Sequence, residues 1–239
     1  MARYTQRLVS TQHRRRVWRS RPAPDALGCV TEPGLPGHAD DPVGTIDELE
    51  GLRQQFRLIK SDANTLIAGL SQSAFNWRRE SAAWSMGQCL EHLNVTTRAY
   101  LPRLDESIEQ ARRQRCLGPG PYRYGWLQMW FVQSMEPPAK RRFKAPKLFR
   151  PPSGQLPLAE TLNAFLSCQD EIAARLHGAR AIDLRRATVR SPVIPLVRFS
   201  LGIAFAMMAA HERRHIWQAR QVRDVGEQIQ WGATPACES

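Results

Sequence analysis

Residues 198–223 read RFSLGIAFAMMAAHERRHIWQARQVR, and their reading decides the fold. Apolar residues recur at three- and four-residue steps through Leu201, Ala204 and Met208, and the same stripe continues as His211, His215 and Val222. That spacing keeps one face of a helix turned toward a core. The run from Phe199 to Ala210 is nearly apolar, yet twelve residues are too few to cross a bilayer as a helix. The stretch therefore predicts a buried helix over about Arg198 to Arg223, preceded by Pro192 and Pro195.

Three more helical patterns lie upstream. Thr45 and Glu48 form a T-x-x-E capping box, followed by Ile46, Leu49, Leu52, Phe56, Ile59, Leu66 and Leu70 on one face. Ser85 and Gln88 form a second box directly after Trp84, with Met86, Leu90, Leu93, Tyr100 and Leu104 behind it, and this helix reaches about Arg115. Pro102 falls inside it and predicts a kink or a short break. Leu158 to about Leu176 carries Leu162, Phe165, Ile172 and Leu176 on one face. No strand signal of comparable strength exists, so the expected class is all-α, a four-helix bundle.

Between the second and third helices, residues 116–157 hold 8 of the 17 prolines and predict a long crossover, with a short helix over Tyr124 to Gln133. Residues 1–44 combine Arg clusters with five prolines and read as a disordered leader, and 226–239 as a flexible tail. The bundle is expected over 45–225. Of the net charge of +12, the leader carries +3, the crossover +6 and everything else +3. The basic excess lies largely outside the periodic helices, which argues against a nucleic-acid-binding core.

Five cysteines (Cys29, Cys89, Cys116, Cys168, Cys237) with no CxxC pair fit reduced thiols and a cytoplasmic protein. Seven arginines precede Asp25 without the apolar stretch of a secretory signal, so no signal peptide is expected, while an organellar transit peptide stays open.

The chemistry centres on histidine. At about 100° per residue, His211 and His215 lie about 40° apart within the apolar stripe. Two buried imidazoles are costly unless their nitrogens are satisfied, and a divalent metal does so with neutral histidine. A core pair bonded to carboxylates and backbone is the bland alternative. His92, beside Cys89 and Thr96 at the edge of the second helix's stripe, is the natural third ligand, although its position allows it to face core or solvent. His13, His38 and His177 receive no function.

His211 to His215 also matches H-E-x-x-H, the zinc-protease helix motif. The metzincin extension fails at Gln218 and Gln221, no helical Glu follows convincingly, and no strand is available to hold an extended peptide. Glu91 and Glu212 adjoin ligand candidates and so point about 100° away, poor placement for a general base. Arg214 reads as pairing with a carboxylate rather than with an anionic substrate, and Gln218 as a partner of His215 or a packing residue. Tyr122, Tyr124, Trp126, Trp130 and Phe131 with the lysines and arginines of 140–150 read as a lid on the bundle, in preference to a nucleic-acid or membrane-surface contact.

Trp84-Ser85-Met86-Gly87-Gln88-Cys89-Leu90-Glu91-His92-Leu93 resembles the W-S-x-x-x-x-x-x-H-L opening of the second helix of DinB-like (damage-inducible, YfiT-related) proteins. His211-Glu212-Arg213-Arg214-His215-Ile216-Trp217-Gln218 resembles their H-x-x-R-H-x-x-Q signature, and Phe143 to Lys147 is similar to a basic F-K-x-P segment found there. The resemblance covers about residues 45–225. It implies an up-down-down-up four-helix bundle and a divalent metal (zinc, nickel, iron or manganese) held by His92, His211 and His215. It further implies a small-molecule substrate, with a hydrolase or thiol-dependent S-transferase activity, the latter using a low-molecular-weight thiol. Nucleic acid is not the expected partner, no membrane span is expected, and a homodimer is compatible with the family. The alternative is a non-catalytic bundle that binds a ligand or partner.

Overall fold

The computed structural model describes residues 43–138, 144–194 and 196–229. Its elements in chain order are α1 (Val43–Ile67), α2 (Gln72–Asn76), α3 (Met86–Arg113), α4 (Trp126–Met135), a 3-10 turn at Lys147–Phe149, α5 (Leu158–Gly178), β1 (Thr188–Arg190), β2 (Arg198–Ser200) and α6 (Leu201–Gln228). Residues 1–42 of the leader expected over 1–44, the basic cluster Lys140 to Arg142 and residues 230–239 of the tail expected over 226–239 lie outside the described residues, while 43–44 belong to α1 and 226–228 to α6.

The chain is mostly helical, in keeping with the all-α class. Helices α1 and α3 each pack on both α5 and α6, and α4 lies along α6. Phe75, Met86, Leu90, Leu93, Leu104, Phe165, Ile172, Leu176, Leu201 and Phe205 are fully buried. Each such side chain contributes about 1.5–3 kcal/mol on leaving water, which is what holds helices this long side by side.

The Ser85 box forms as the sequence predicts: the Ser85 hydroxyl accepts from the Gln88 N–H at 3.1 Å, and Gln88 Oε1 accepts from the Ser85 N–H at 3.1 Å. Gln88 also donates to the Pro152 carbonyl at 3.0 Å, tying the returning crossover to the start of α3. The other expectations shift at the ends. Helix α1 begins at Val43, so Thr45 lies within its first turn instead of capping it. Helix α3 runs through Pro102 without a break. The short crossover helix is displaced by two residues, to Trp126–Met135.

Residues 198–200, expected as helix, instead pair with 188–190 in a small antiparallel hairpin. Three-residue strands are too short to show alternation, which is why the sequence hides them. The hairpin starts α6: with no side-chain cap present, the Leu201 and Gly202 N–H groups donate to the carbonyls of Ala187 at 2.8 Å and Leu184 at 3.0 Å.

The crossover packs where Gly202 leaves room. The Tyr124 hydroxyl donates to Glu48 at 2.5 Å, joining the crossover to α1, and passes so close to Gly202 that a β-carbon there would sit 1.9 Å from its oxygen. Tyr122 reaches the carbonyls of Gly118 at 2.6 Å and Ile182 at 3.0 Å, and Phe131 stacks on Phe199 with ring centroids 6.0 Å apart. These three aromatics pack against the rest of the chain. Trp126 and Trp130 remain 79% and 58% exposed.

Candidate metal centre

The i, i+4 spacing on α6 turns His211 and His215 toward α3, where His92 is 3% exposed. One ligand atom from each of the three lies within 4.8 Å of the others. The ring centroids are 5.1 Å apart for His92 and His211, 4.5 Å for His92 and His215, and 4.7 Å for His211 and His215. The ambiguity over His92 thus resolves inward.

A backbone group sets the proton positions. His92 Nδ1 lies 2.6 Å from the Phe149 carbonyl oxygen, which only accepts, so Nδ1 carries the proton and Nε2 presents a lone pair. That lone pair faces His211 Nε2 at 3.2 Å. Two nitrogen ligands on one tetrahedral zinc stand about 3.3 Å apart, given metal–nitrogen distances of about 2.0–2.1 Å. A histidine that gives its other N–H to a carbonyl is the usual arrangement of a metal ligand. His215 Nδ1 is buried without a hydrogen-bond partner. The donor set fits a divalent ion.

Electrostatics point the same way. Burial, with His92 and Arg214 nearby, pulls the pKa of His211 down to about 3. His215 falls well below its ordinary value through burial and the neighbouring His211, His92 and Arg214, although Gln218 opposes the shift. Burial also lowers His92, against the pull of the Phe149 carbonyl. All three imidazoles are neutral at pH 7, the form that ligates.

Trp84 covers the cluster. Its ring centroid lies 4.9 Å from that of His92 and 5.8 Å from that of His215. The capping box fixes the chain's entry into α3 and so aims this indole. Trp84 and Phe149 are the two site residues that the sequence reading did not assign. A tryptophan next to a cap was a usable signal, whereas a backbone carbonyl leaves none.

Residues 55–219 match the family model of the DinB superfamily. This chain belongs to the DinB superfamily. No curated protein and no solved structure matches it. Among the described residues, His92, His211 and His215 are the group of three or more His, Cys, Asp and Glu side chains that could hold a metal ion.

The neighbours of the DinB histidines face elsewhere. Glu212, 1% exposed, accepts from Thr97 Oγ1 at 3.3 Å and from Gln169 Nε2 at 3.0 Å, and burial pushes its pKa up to about 8 against those bonds. It looks into the contact among α3, α5 and α6, which removes the general base that the protease motif requires. Glu91 accepts from Asn94 at 3.0 Å. Arg213, not only Arg214, bears on the crossover: its guanidinium forks onto Glu136 and also reaches Gln55 at 2.8 Å, while Arg214 points its Nη1 at the Ser134 carbonyl, 3.4 Å away. Burial raises the thiol of Cys89 to about 12 and lifts that of Cys168, so neither is a ready nucleophile at neutral pH. No helix among the described residues is long and apolar enough to cross a membrane.

Proposed function

We propose that His92, His211 and His215 hold a divalent metal ion, and that this site makes the protein a metal-dependent hydrolase or thiol-dependent S-transferase acting on a small molecule. The observation that carries the reading is the convergence of three neutral imidazoles from two helices, with His92 held as the Nδ1–H tautomer by the Phe149 carbonyl. In this reading the domain spans residues 45–225, an up-down-down-up bundle whose crossover supplies a wall of the site.

When bound, a divalent ion supplies Lewis acidity that brings a water or a thiol toward its deprotonated form near neutral pH. The chain's own residues do the rest. The Phe149 carbonyl orients His92, and burial keeps the three imidazoles unprotonated. Trp84 shields one side of the cluster from solvent. His211, the least buried of the three, marks the open side where substrate enters. Arg213 and Glu136 hold the end of α4 against α6. Glu212, bonded to Thr97 and Gln169 in the core, is held away from the site and carries no proton to or from it.

Metal content by mass spectrometry tests the proposal. Untagged protein incubated with zinc, nickel, iron or manganese is expected to hold near-stoichiometric metal, which His92→Ala and the His211→Ala, His215→Ala pair each lose. Folded protein that holds none of these metals would refute the site and leave the non-catalytic binding bundle. Retained metal supports screening ester, amide and thiol-transfer substrates.

A further inference from the structure

Between α5 and α6, residues 180–198 gather Arg180, Arg185, Arg186, Arg190 and Arg198 against a lone acid, Asp183. All five arginines are exposed. None of them enters an ion pair among the described residues. Asp183 is already occupied, since its Oδ1 accepts the backbone N–H groups of both Arg185 and Arg186 at 3.0 Å. The hairpin register also sets Arg190 directly opposite Arg198. Like charges in that position repel, so the strand pair forms at a cost that an anion would remove.

The loop joining the strands puts aliphatic side chains into water. Leu196 is 94% exposed, Ile194 55% and Val193 37%. The loop is nevertheless well tied. The Ser191 N–H donates to the Val197 carbonyl at 2.9 Å, and the Val197 N–H donates to the Ile194 carbonyl at 2.8 Å. The Ser191 hydroxyl accepts the N–H groups of Val193 at 3.2 Å and Ile194 at 3.1 Å. Buried Tyr100 of α3 hydrogen-bonds to that same serine. A loop fixed to the body in this way holds its apolar tip outward by construction.

We propose that Val193, Ile194 and Leu196, beside the closed end of the hairpin, form an insertion point for an anionic lipid surface. Val193, Ile194 and Leu196 enter the boundary between headgroups and acyl chains, and Arg190 and Arg198, which flank the loop, meet headgroup phosphates. Charge selects the class of partner, since five unpaired arginines need anions. Shape and chemistry select lipid within that class. Three aliphatic side chains fall well short of the roughly 20–30 residues a side that a stable protein interface uses. They also offer no ring on which a base could stack. This inference is independent of the metal reading.

Co-sedimentation of the full chain with phosphatidylcholine vesicles, and with equal mixtures of phosphatidylcholine and phosphatidylglycerol, tests it. Binding is expected to the anionic vesicles only and to weaken as salt rises. Arg190→Ala with Arg198→Ala should weaken partitioning about 25-fold, at roughly fivefold per arginine. Leu196→Asp should weaken it at least tenfold, while Leu196→Phe preserves it. Because these positions are exposed, melting temperatures should stay within a degree or two of the unaltered chain. Absence of binding to anionic vesicles would overturn the proposal, as would equal binding to neutral ones. Binding that ignores both the arginine pair and Leu196→Asp would also overturn it, by assigning the affinity to another basic segment. Capture by polyglutamate without vesicle binding would overturn it in favour of an acidic protein partner.

Discussion

Gly202→Ala sets two rules against each other. Alanine inside a helix is favoured over glycine by about 1 kcal/mol, so the substitution in α6 should stabilise if only the backbone mattered. The structure predicts the reverse. The new β-carbon would lie 1.9 Å from the Tyr124 hydroxyl oxygen, 2.7 Å from Tyr124 Cζ and 3.0 Å from Glu48 Oε1. Tyr124 cannot step aside cheaply, because its hydroxyl donates to Glu48 at 2.5 Å. Breaking a hydrogen bond to a carboxylate costs about 1.5–3 kcal/mol, and overpacking adds about 1–3 kcal/mol. Allowing for the helix gain, the net loss is about 1.5–5 kcal/mol. Urea unfolding followed by circular dichroism reads it directly. In a Tyr124→Ala background the ring is gone and Glu48, released from its bond, can move the few tenths of an ångström its contact requires, so adding Gly202→Ala should become favourable by up to about 1 kcal/mol. A stable Gly202→Ala single variant, or a loss that persists without Tyr124, would refute the packing argument.

Four further outcomes follow from the same contacts. Burial raises the pKa of Glu48 despite the Tyr124 bond, so the folded state keeps this proton longer than the unfolded chain and stability declines as pH rises from about 4.5 through the folded value. Glu48→Gln, which keeps an acceptor for Tyr124, should therefore gain on the unaltered protein across that range in urea titrations at several pH values. Glu212→Gln should leave metal stoichiometry unchanged by mass spectrometry, because Glu212 faces Thr97 and Gln169; loss of metal would show that it acts at the site. Gly87→Ala would bring a β-carbon within 2.7 Å of the fully buried Phe75 ring, and should cost about 1–3 kcal/mol in the same unfolding assay. Arg213→Ala releases Glu136 at the end of α4, and with both partners partly exposed the expected loss is about 1 kcal/mol, accompanied by faster proteolytic nicking after residue 136.

What could be read in advance was local or periodic. The Ser85–Gln88 box depends on residues three apart, and the inward pairing of His211 with His215 depends on one helical turn, so both follow from spacing alone. The long helices were legible for the same reason, through stripes that required no knowledge of what they packed against. His92 was ambiguous because it sits at the margin of its stripe; what places it inward is the pair on α6, more than a hundred residues away. The Phe149 carbonyl, the Arg213–Glu136 pair and the Tyr124–Glu48 bond join distant parts of the chain and have no local pattern. The hairpin at 188–200 failed to show because its strands are three residues long and its register is set by backbone bonds.

The group that orients His92 is a main-chain oxygen, so it is indifferent to which side chain residue 149 carries. Single substitutions along the crossover can change its packing and charge without deleting that acceptor. Inserting or removing a residue between 144 and 157 is a different matter, because it moves the carbonyl out of register with the imidazole. The loop's length, more than its composition, is therefore the variable to which the histidine cluster is tuned, and loop-length variants would probe the cluster more sharply than an alanine scan.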